Sequence, residues 1–305
     1  MRKIVPSEIA TKDWYQFMVG AIAPRPIAFV STIDENGVAN VAPYSFFNAF
    51  SADPPVLVFS SNRRVSDNTT KDTLHNVELN QEVVINVVNH AMVRQMAIAS
   101  ISYPADVSEF EKSGLTAIPS EEVAPYRVAE SPVQFECKVS EIIPLGTDGG
   151  AGHLVICKVL CMHVEEAVID DRGRIDPHKI DLVGRLGRGH YVRVSGDAIF
   201  DVYQAPEEIA LGFDNLPTHL LSSTVFTGND LAQFAGQLDY PNQESVEDLI
   251  DLDSNIQNLL EIYGEDDEQL LEALHKAAKV ALNQGQVDQA FRIAMVFELI
   301  DMDEE

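Results

Sequence analysis

Positive charge is scarce in this sequence, and very unevenly so. Of 21 lysines and arginines, only Lys276, Lys279 and Arg292 fall within residues 201–305, which carry 23 of the 48 acids. Residues 1–200 hold the other 25 acids and 18 bases. So abrupt a shift predicts a boundary near residue 200 and two domains, 1–200 and 201–305. A net charge of −27 supplies no basic surface for phosphate backbones, which argues against nucleic acid as a partner. The plainest reading of the acidity is a solvated surface. Cysteine is scarce too. Three, an odd number, do not make the disulfide framework of a small secreted protein. No run of 18 apolar residues occurs, so no membrane span is expected, and the opening MRKIVPSEIATKDW lacks an apolar signal core. Cytoplasmic localisation is the resulting expectation.

Several catalytic signatures are missing as well. There is no G-x-S-x-G elbow, no H-E-x-x-H and no P-loop. The acid runs at 265–268 and 301–305 lack the spacing of a calcium loop. His153, Cys157, Cys161 and His163 share strand parity, which invites a metal reading. On a straight strand, however, Cys157 and Cys161 lie about 13 Å apart, too far to share one zinc. Core packing of the cysteines, and no metal site, is the expectation.

Strand patterns fill the first 200 residues. PIAFVSTI at 26–33 and VANVAP at 38–43 flank DENG, a turn in which Gly37 can take positive φ, so a β-hairpin is predicted. Further strands are VLVFSS (56–61), EVVINVV (82–88), VQFECKVSEII (133–143) and the run from His153 to Ile169. The last two enclose the glycine-rich GTDGGAG and read as a second hairpin. Short helices are predicted at 71–79, with Asp72 or Thr73 as N-cap, and at 91–100, while 101–130 reads as loop. Strands joined by short helices suggest a closed antiparallel barrel, and no βαβ units are present. Past residue 200 the periodicity is helical, over 245–264, 268–283 and 287–300, with Gly264 and Gly285 as helix ends. A small bundle or hairpin array is the simplest packing.

Three constellations carry chemistry. Ser60, Ser61, Asn62 and Arg63 end a strand, and Lys71, Asp72 and Thr73 open a helix. Hydroxyls, cations and helix N–H groups suit a phosphate, although a polar loop capping a helix uses the same residues. Tyr44, Ser45 and Phe46, within APYSFFN, mix rings with polar donors and suit a flat amphipathic ligand, or else a core aromatic cluster. GRLGRGHY at 184–191 joins close-approach glycines to Arg185 and Tyr191, or is simply a solvated basic loop.

Residues 24–59, PRPIAFVSTIDENGVANVAPYSFFNAFSADPPVLVFS, continuing through NRRVSDNTTKDTLHNVELNQEVVINVV at 62–88, resemble the flavin reductase-like FMN-binding split-barrel family. The resemblance resumes over 130–165 and at GRLGRGHY, and spans about residues 5–200. It implies a mainly β, antiparallel, Greek-key-like split barrel with short helices, usually a homodimer, followed here by an all-α acidic extension outside the family core. It further implies that Tyr44, Ser45 and Phe46 line the isoalloxazine of FMN, with FAD as the alternative. Ser60, Ser61, Asn62, Arg63, Lys71, Asp72 and Thr73 would hold the ribityl phosphate. Arg185 and Tyr191 become the catalytic candidates, near flavin or nicotinamide. The implied activity is a flavin reductase-type oxidoreductase in which NAD(P)H gives hydride to bound FMN. Two other readings stand beside it. One is an FMN-binding electron-transfer protein reduced by a partner. The other is an interaction protein whose acidic helical module recruits an unidentified protein.

Overall fold

A computed structural model describes residues 1–202 and 209–303, which leaves the boundary stretch 203–208 and the end of the 301–305 acid run outside the described residues. Contacts divide the chain into two compact units, Met1–Phe200 and Asp201–Glu305.

The first unit opens with helix α1 (Thr11–Ala21) and strands β1 (Ala28–Ile33), β2 (Ala39–Tyr44), β3 (Phe47–Ala52) and β4 (Pro55–Asn62). Then come α2 (Asp72–Asn80), β5 (Glu82–Val87), α3 (Val93–Ile98), α4 (Glu109–Ser113), β6 (Ala117–Ile118) and β7 (Arg127–Val128). The long strands β8 (Val133–Pro144) and β9 (Gly152–Val164) follow, then α5 (Pro177–Ile180), β10 (Val183–Arg185) and β11 (Tyr191–Arg193). Seven strands form one sheet in the order β2-β1-β5-β8-β9-β4-β3, and the strand pairs within it are antiparallel.

Connectivity explains why the sheet rolls up. Its edge strands β2 and β3 are joined only by Ser45 and Phe46. Flat, the two edges would stand roughly 29 Å apart at the usual strand spacing. A link of three Cα steps reaches about 11 Å at most. The sheet must therefore curl until its edges meet, and Ser60 N–H donates to Phe46 O at 2.8 Å, carrying the β3–β4 ladder on into the link. The split barrel that the family resemblance implied is the observed architecture, in keeping with the antiparallel barrel read from the strand pattern.

The first hairpin forms as read: Gly37 has φ +85°, and Asp34 and Val38 pair across the turn. β1 is buried on both faces. Ala28 and Val30 enter the barrel interior with Phe59, Ile85, Val155 and Cys157, whereas Phe29 packs outward with Met92, Met96 and Phe110. That double burial accounts for the continuous apolar stretch Ile27–Val30.

Three local expectations need correction. Helix α2 spans Asp72–Asn80 in place of 71–79, and Lys71 holds the N-cap position in place of Asp72 or Thr73; the Thr73 side chain turns inward. The 101–130 stretch is not featureless, since it carries α4, β6 and β7. In the second unit the 245–264 periodicity is two helices, not one.

That unit comprises α6 (Thr218–Leu221), α7 (Gly228–Ala235), α8 (Gln243–Leu252), α9 (Ser254–Tyr263), α10 (Asp267–Asn283) and α11 (Val287–Asp303). Asp253, extended at ψ 107°, ends α8 and caps α9 through Asn255 N–H at 2.8 Å. Leu220, Phe234, Ile256, Leu274, Ala278 and Phe291 form its core. Gly285, at φ +75°, turns α10 into α11.

Candidate functional site

A cleft of about 530 Å³ opens beside the barrel closure, within the size range of small-molecule sites. Its walls come from four pieces of chain. Trp14, Tyr15 and Met18 project from α1; Pro43 and Tyr44 end β2, with Ser45 and Phe46 linking it to β3; Ser60 and Asn62 end β4, with Arg63 just beyond; Leu145 and Gly150 belong to the β8–β9 loop, and Gly152 opens β9. Lys71, at the start of α2, completes the lining. Tyr15 and Phe46 approach with ring centroids 6.2 Å apart.

The glycine loop sits where it does because it is stitched to the end of β4. Arg63 N–H donates to Ala151 O at 2.8 Å, and Gly150 N–H donates to Arg63 O at 3.1 Å. A Cβ on Gly152 would stand 2.5 Å from Ser60 Oγ, and one on Gly149 3.0 Å from Arg64 O. Side chains at these positions would close the space that the glycines leave.

Seven of the proposed cofactor residues, Tyr44, Ser45, Phe46, Ser60, Asn62, Arg63 and Lys71, meet in this one cleft. Three do not line it. Ser61 lies on the alternate face of β4 with 1% exposure. Thr73 Oγ1 donates to Asn40 Oδ1 at 2.8 Å, within a buried network in which Asn76 Nδ2 donates to Thr32 Oγ1 at 3.0 Å. Asp72 borders a smaller neighbouring cleft with Arg64 and Glu109. Arg185 and Tyr191 are absent from the wall too. They are register partners in the β10–β11 hairpin, with the guanidinium carbon 4.5 Å from the Tyr191 ring centre.

What links that hairpin to the cleft is Arg25, a residue the sequence reading passed over. Only 6% exposed, it donates to Val19 O at 2.7 Å, Leu186 O at 2.8 Å and Ser45 Oγ at 3.4 Å. It thereby ties α1, the 184–191 turn and the β2–β3 link together. Gly184 serves packing here, because a Cβ would meet Pro24 Cβ at 2.7 Å. The α1 lining was missed as well, although Trp14 and Met18 at i, i+4 were a readable helical face.

The electrostatics favour an anion at one end of the cleft. Lys71 Nζ stands 4.7 Å over the Tyr44 ring, and burial beside Arg64 lowers its pKa. The first N–H groups of α2 begin at the same point, with no side-chain cap at Lys71. Arg63 is braced by Asn68 at 2.6 Å. Burial pushes the Tyr44 phenol up to about 12, so it stays neutral. The phenol is buried beside the hydroxyls of Thr73 and Ser61, behind the cleft wall. Aromatic walls, glycines that leave room and a cationic end fit a flat ring system with a phosphate tail.

Comparison with known proteins agrees. The flavin reductase like domain model matches residues 20–177. An uncharacterized protein of Aquifex aeolicus is 38% identical over 183 residues, 60% of this chain and 91% of its own length. Nitrilotriacetate monooxygenase component B from Bacillus cereus superimposes with a TM-score of 0.62 at 33% identity, over 66% of this chain and 98% of its own. The 2-nitrobenzoate 2-nitroreductase of Pseudomonas fluorescens does so with a TM-score of 0.58 at 28% identity, over 66% and 96%. The chain belongs to the flavin reductase-like family, and its barrel is that of a flavin-linked oxidoreductase. The family match ends before the helical unit. Among the described residues no helix is long and apolar enough to cross a membrane.

Proposed function

We propose that the unit spanning residues 1–200 holds FMN in the cleft and works as an NAD(P)H-dependent flavin reductase, with residues 201–305 an appended acidic module. The observation that carries this reading is the meeting of aromatic, hydroxyl and cationic residues around a cleft kept open by Gly152. Tyr44, Ser45 and Phe46 would lie along the isoalloxazine. Ser60, Asn62, Arg63 and Lys71 would take the ribityl phosphate, with the first turn of α2 adding backbone donors. Ser61 and Thr73 act one layer behind, Thr73 by fixing that first turn through Asn40.

Bound flavin supplies the redox chemistry, and the protein orients the reactants against it. α1 walls the cleft with Trp14, Tyr15 and Met18 and keeps water from the ring. Arg25 holds Ser45 and the 184–191 turn in register, so Arg185 and Tyr191 act through the hairpin that carries them. No side chain has to move a proton, which suits a cleft without a catalytic triad.

Anaerobic mixing of the flavin-loaded protein with NADH or NADPH tests the reading. Loss of the yellow flavin absorbance with one of them within seconds is expected. Persistent absorbance with both would sink the reductase assignment and favour a carrier reduced by another protein.

A further inference from the structure

Away from the cleft, three donor atoms of different chemistry converge on the β8–β9 pair. Glu136 and Cys161 are direct register partners. His163 lies two residues beyond Cys161, on the same face of β9. One ligand atom from each lies within 4.8 Å of the other two. His163 Nε2 is 2.8 Å from Glu136 Oε1 and 3.6 Å from Cys161 Sγ.

The thiol and the carboxylate therefore face the same ring nitrogen. A Cys–His–acid relay needs them on opposite nitrogens, so this is not a nucleophile with its base. Convergence on one point is what a metal ion requires. Tetrahedral zinc, with bonds near 2.3 Å to sulfur and 2.0–2.1 Å to nitrogen, spaces those two ligands about 3.6 Å apart. That spacing is already present. The carboxylate and imidazole need open by only about half an ångström to reach zinc-ligand separation.

The surroundings are built to hold the carboxylate still. Glu136 is fully buried. It accepts from Glu121 N–H at 2.9 and 3.1 Å and from Glu122 N–H at 2.6 Å. The other nitrogen of His163, Nδ1, faces Glu121 Oε1 at 3.9 Å, a carboxylate exposed enough to swing in. Metal-bound histidines commonly give that second N–H to a carboxylate. Arg127 Nε also approaches Glu136 Oε1, at 3.7 Å, but its guanidinium is engaged by Pro119 O at 3.2 and 3.1 Å. Cys161 and His163 are half-buried, so an ion can enter from solvent.

We propose that Glu136, Cys161 and His163 form a divalent metal site of zinc type, with one coordination position open to solvent. Thiolate with imidazole selects a borderline-soft ion over magnesium or calcium. The site is independent of the flavin cleft, whose β9 contribution is Gly152 at the opposite end of that strand.

Full-length protein stripped with a chelator and titrated with Co²⁺ tests this. One equivalent is expected to bind, with tetrahedral visible bands and thiolate charge-transfer absorption, and Zn²⁺ is expected to displace it. Cys161→Ser should abolish the charge-transfer band, and His163→Gln should weaken binding at least about 10-fold. Far-UV circular dichroism shows that each variant is folded. Absence of stoichiometric binding overturns the proposal. So does binding unchanged in both folded variants, or binding that depends on Cys161 but not on His163, which would mark a lone thiol.

Discussion

In the helical unit, Asp253 and Asp266 lie at the surface and accept from backbone N–H groups at helix starts, at 2.8 and 3.0 Å. In the barrel, Glu109 and Glu136 are buried at 5% and 0% exposure and accept from amides far along the chain. Glu109, for instance, takes Asn40 Nδ2 at 2.9 Å, and burial raises its pKa. The same residue class serves solvation and capping at Asp253 and Asp266 and fixes a polar interior at Glu109 and Glu136; the helical unit has its own buried acid in Asp230, which pairs with Lys279. An acidic composition therefore locates the second unit without saying what it does, while the sparser buried acids of the first unit point to where its backbone is held for a purpose.

The largest effect confined to one unit is expected at Phe291. Its ring stacks on Phe234 with centroids 5.0 Å apart inside the helical core. Phe291→Ala is expected to cost about 3–5 kcal/mol of that unit's stability. Retained flavin content with an earlier helical transition on heating is the expected result. Joint loss of both would show that the units do not behave independently.

A pH scan sharpens the same contrast. His275 is 2% exposed, donates to or accepts from His219 at 3.1 Å and Ser223 at 2.8 Å, and burial followed by the neighbouring His219 lowers its pKa to about 4. Burial takes His219 to about 4 as well. A folded-state value below the unfolded one means that the unfolded chain binds the proton first. Stability is therefore full above about pH 6.5 and is lost as pH falls towards 4, on the order of 3 kcal/mol for His275. Thermal unfolding followed from pH 7.5 to 4.5 should show the helical transition falling, and His275→Gln should flatten that fall.

Smaller effects are expected at single polar contacts. Lys71→Ala should weaken FMN binding by about 2 kcal/mol while changing riboflavin binding little, since only FMN carries the phosphate. Equal losses for both ligands, read by fluorescence titration, would move the phosphate elsewhere. Asp253→Ala removes the cap between α8 and α9 and should cost about 1 kcal/mol. Denaturant unfolding of the helical signal reads it.

Much of this was legible in the chain. Gly37 after Asp34 set the first hairpin, and Ser60, Asn62, Arg63 and Lys71 of the two polar clusters face one cleft, whereas Ser61, Asp72 and Thr73 do not. The rest depended on tertiary pairing. β3 is exposed after Phe47 and shows no alternation, so no strand was read over 47–52. The break at Asp253 hid inside an apolar period that continues on both sides. Cys157 packs in the core as expected. Cys161 meets Glu136 only because β8 and β9 pair in a register set by two bulges, and comparing cysteines along one strand cannot reveal a partner on the next. Arg25 likewise acts across 161 residues, on Leu186 O.

Flavin bound per chain, measured in the purified full-length protein and in Gly152→Val, shows whether the cleft that Gly152 lines is the flavin site. About one FMN per chain, released on denaturation, is expected, and its loss from a variant that remains folded, because a Cβ at that position stands 2.5 Å from Ser60 Oγ. A folded Gly152→Val that keeps its full flavin complement would contradict flavin binding there.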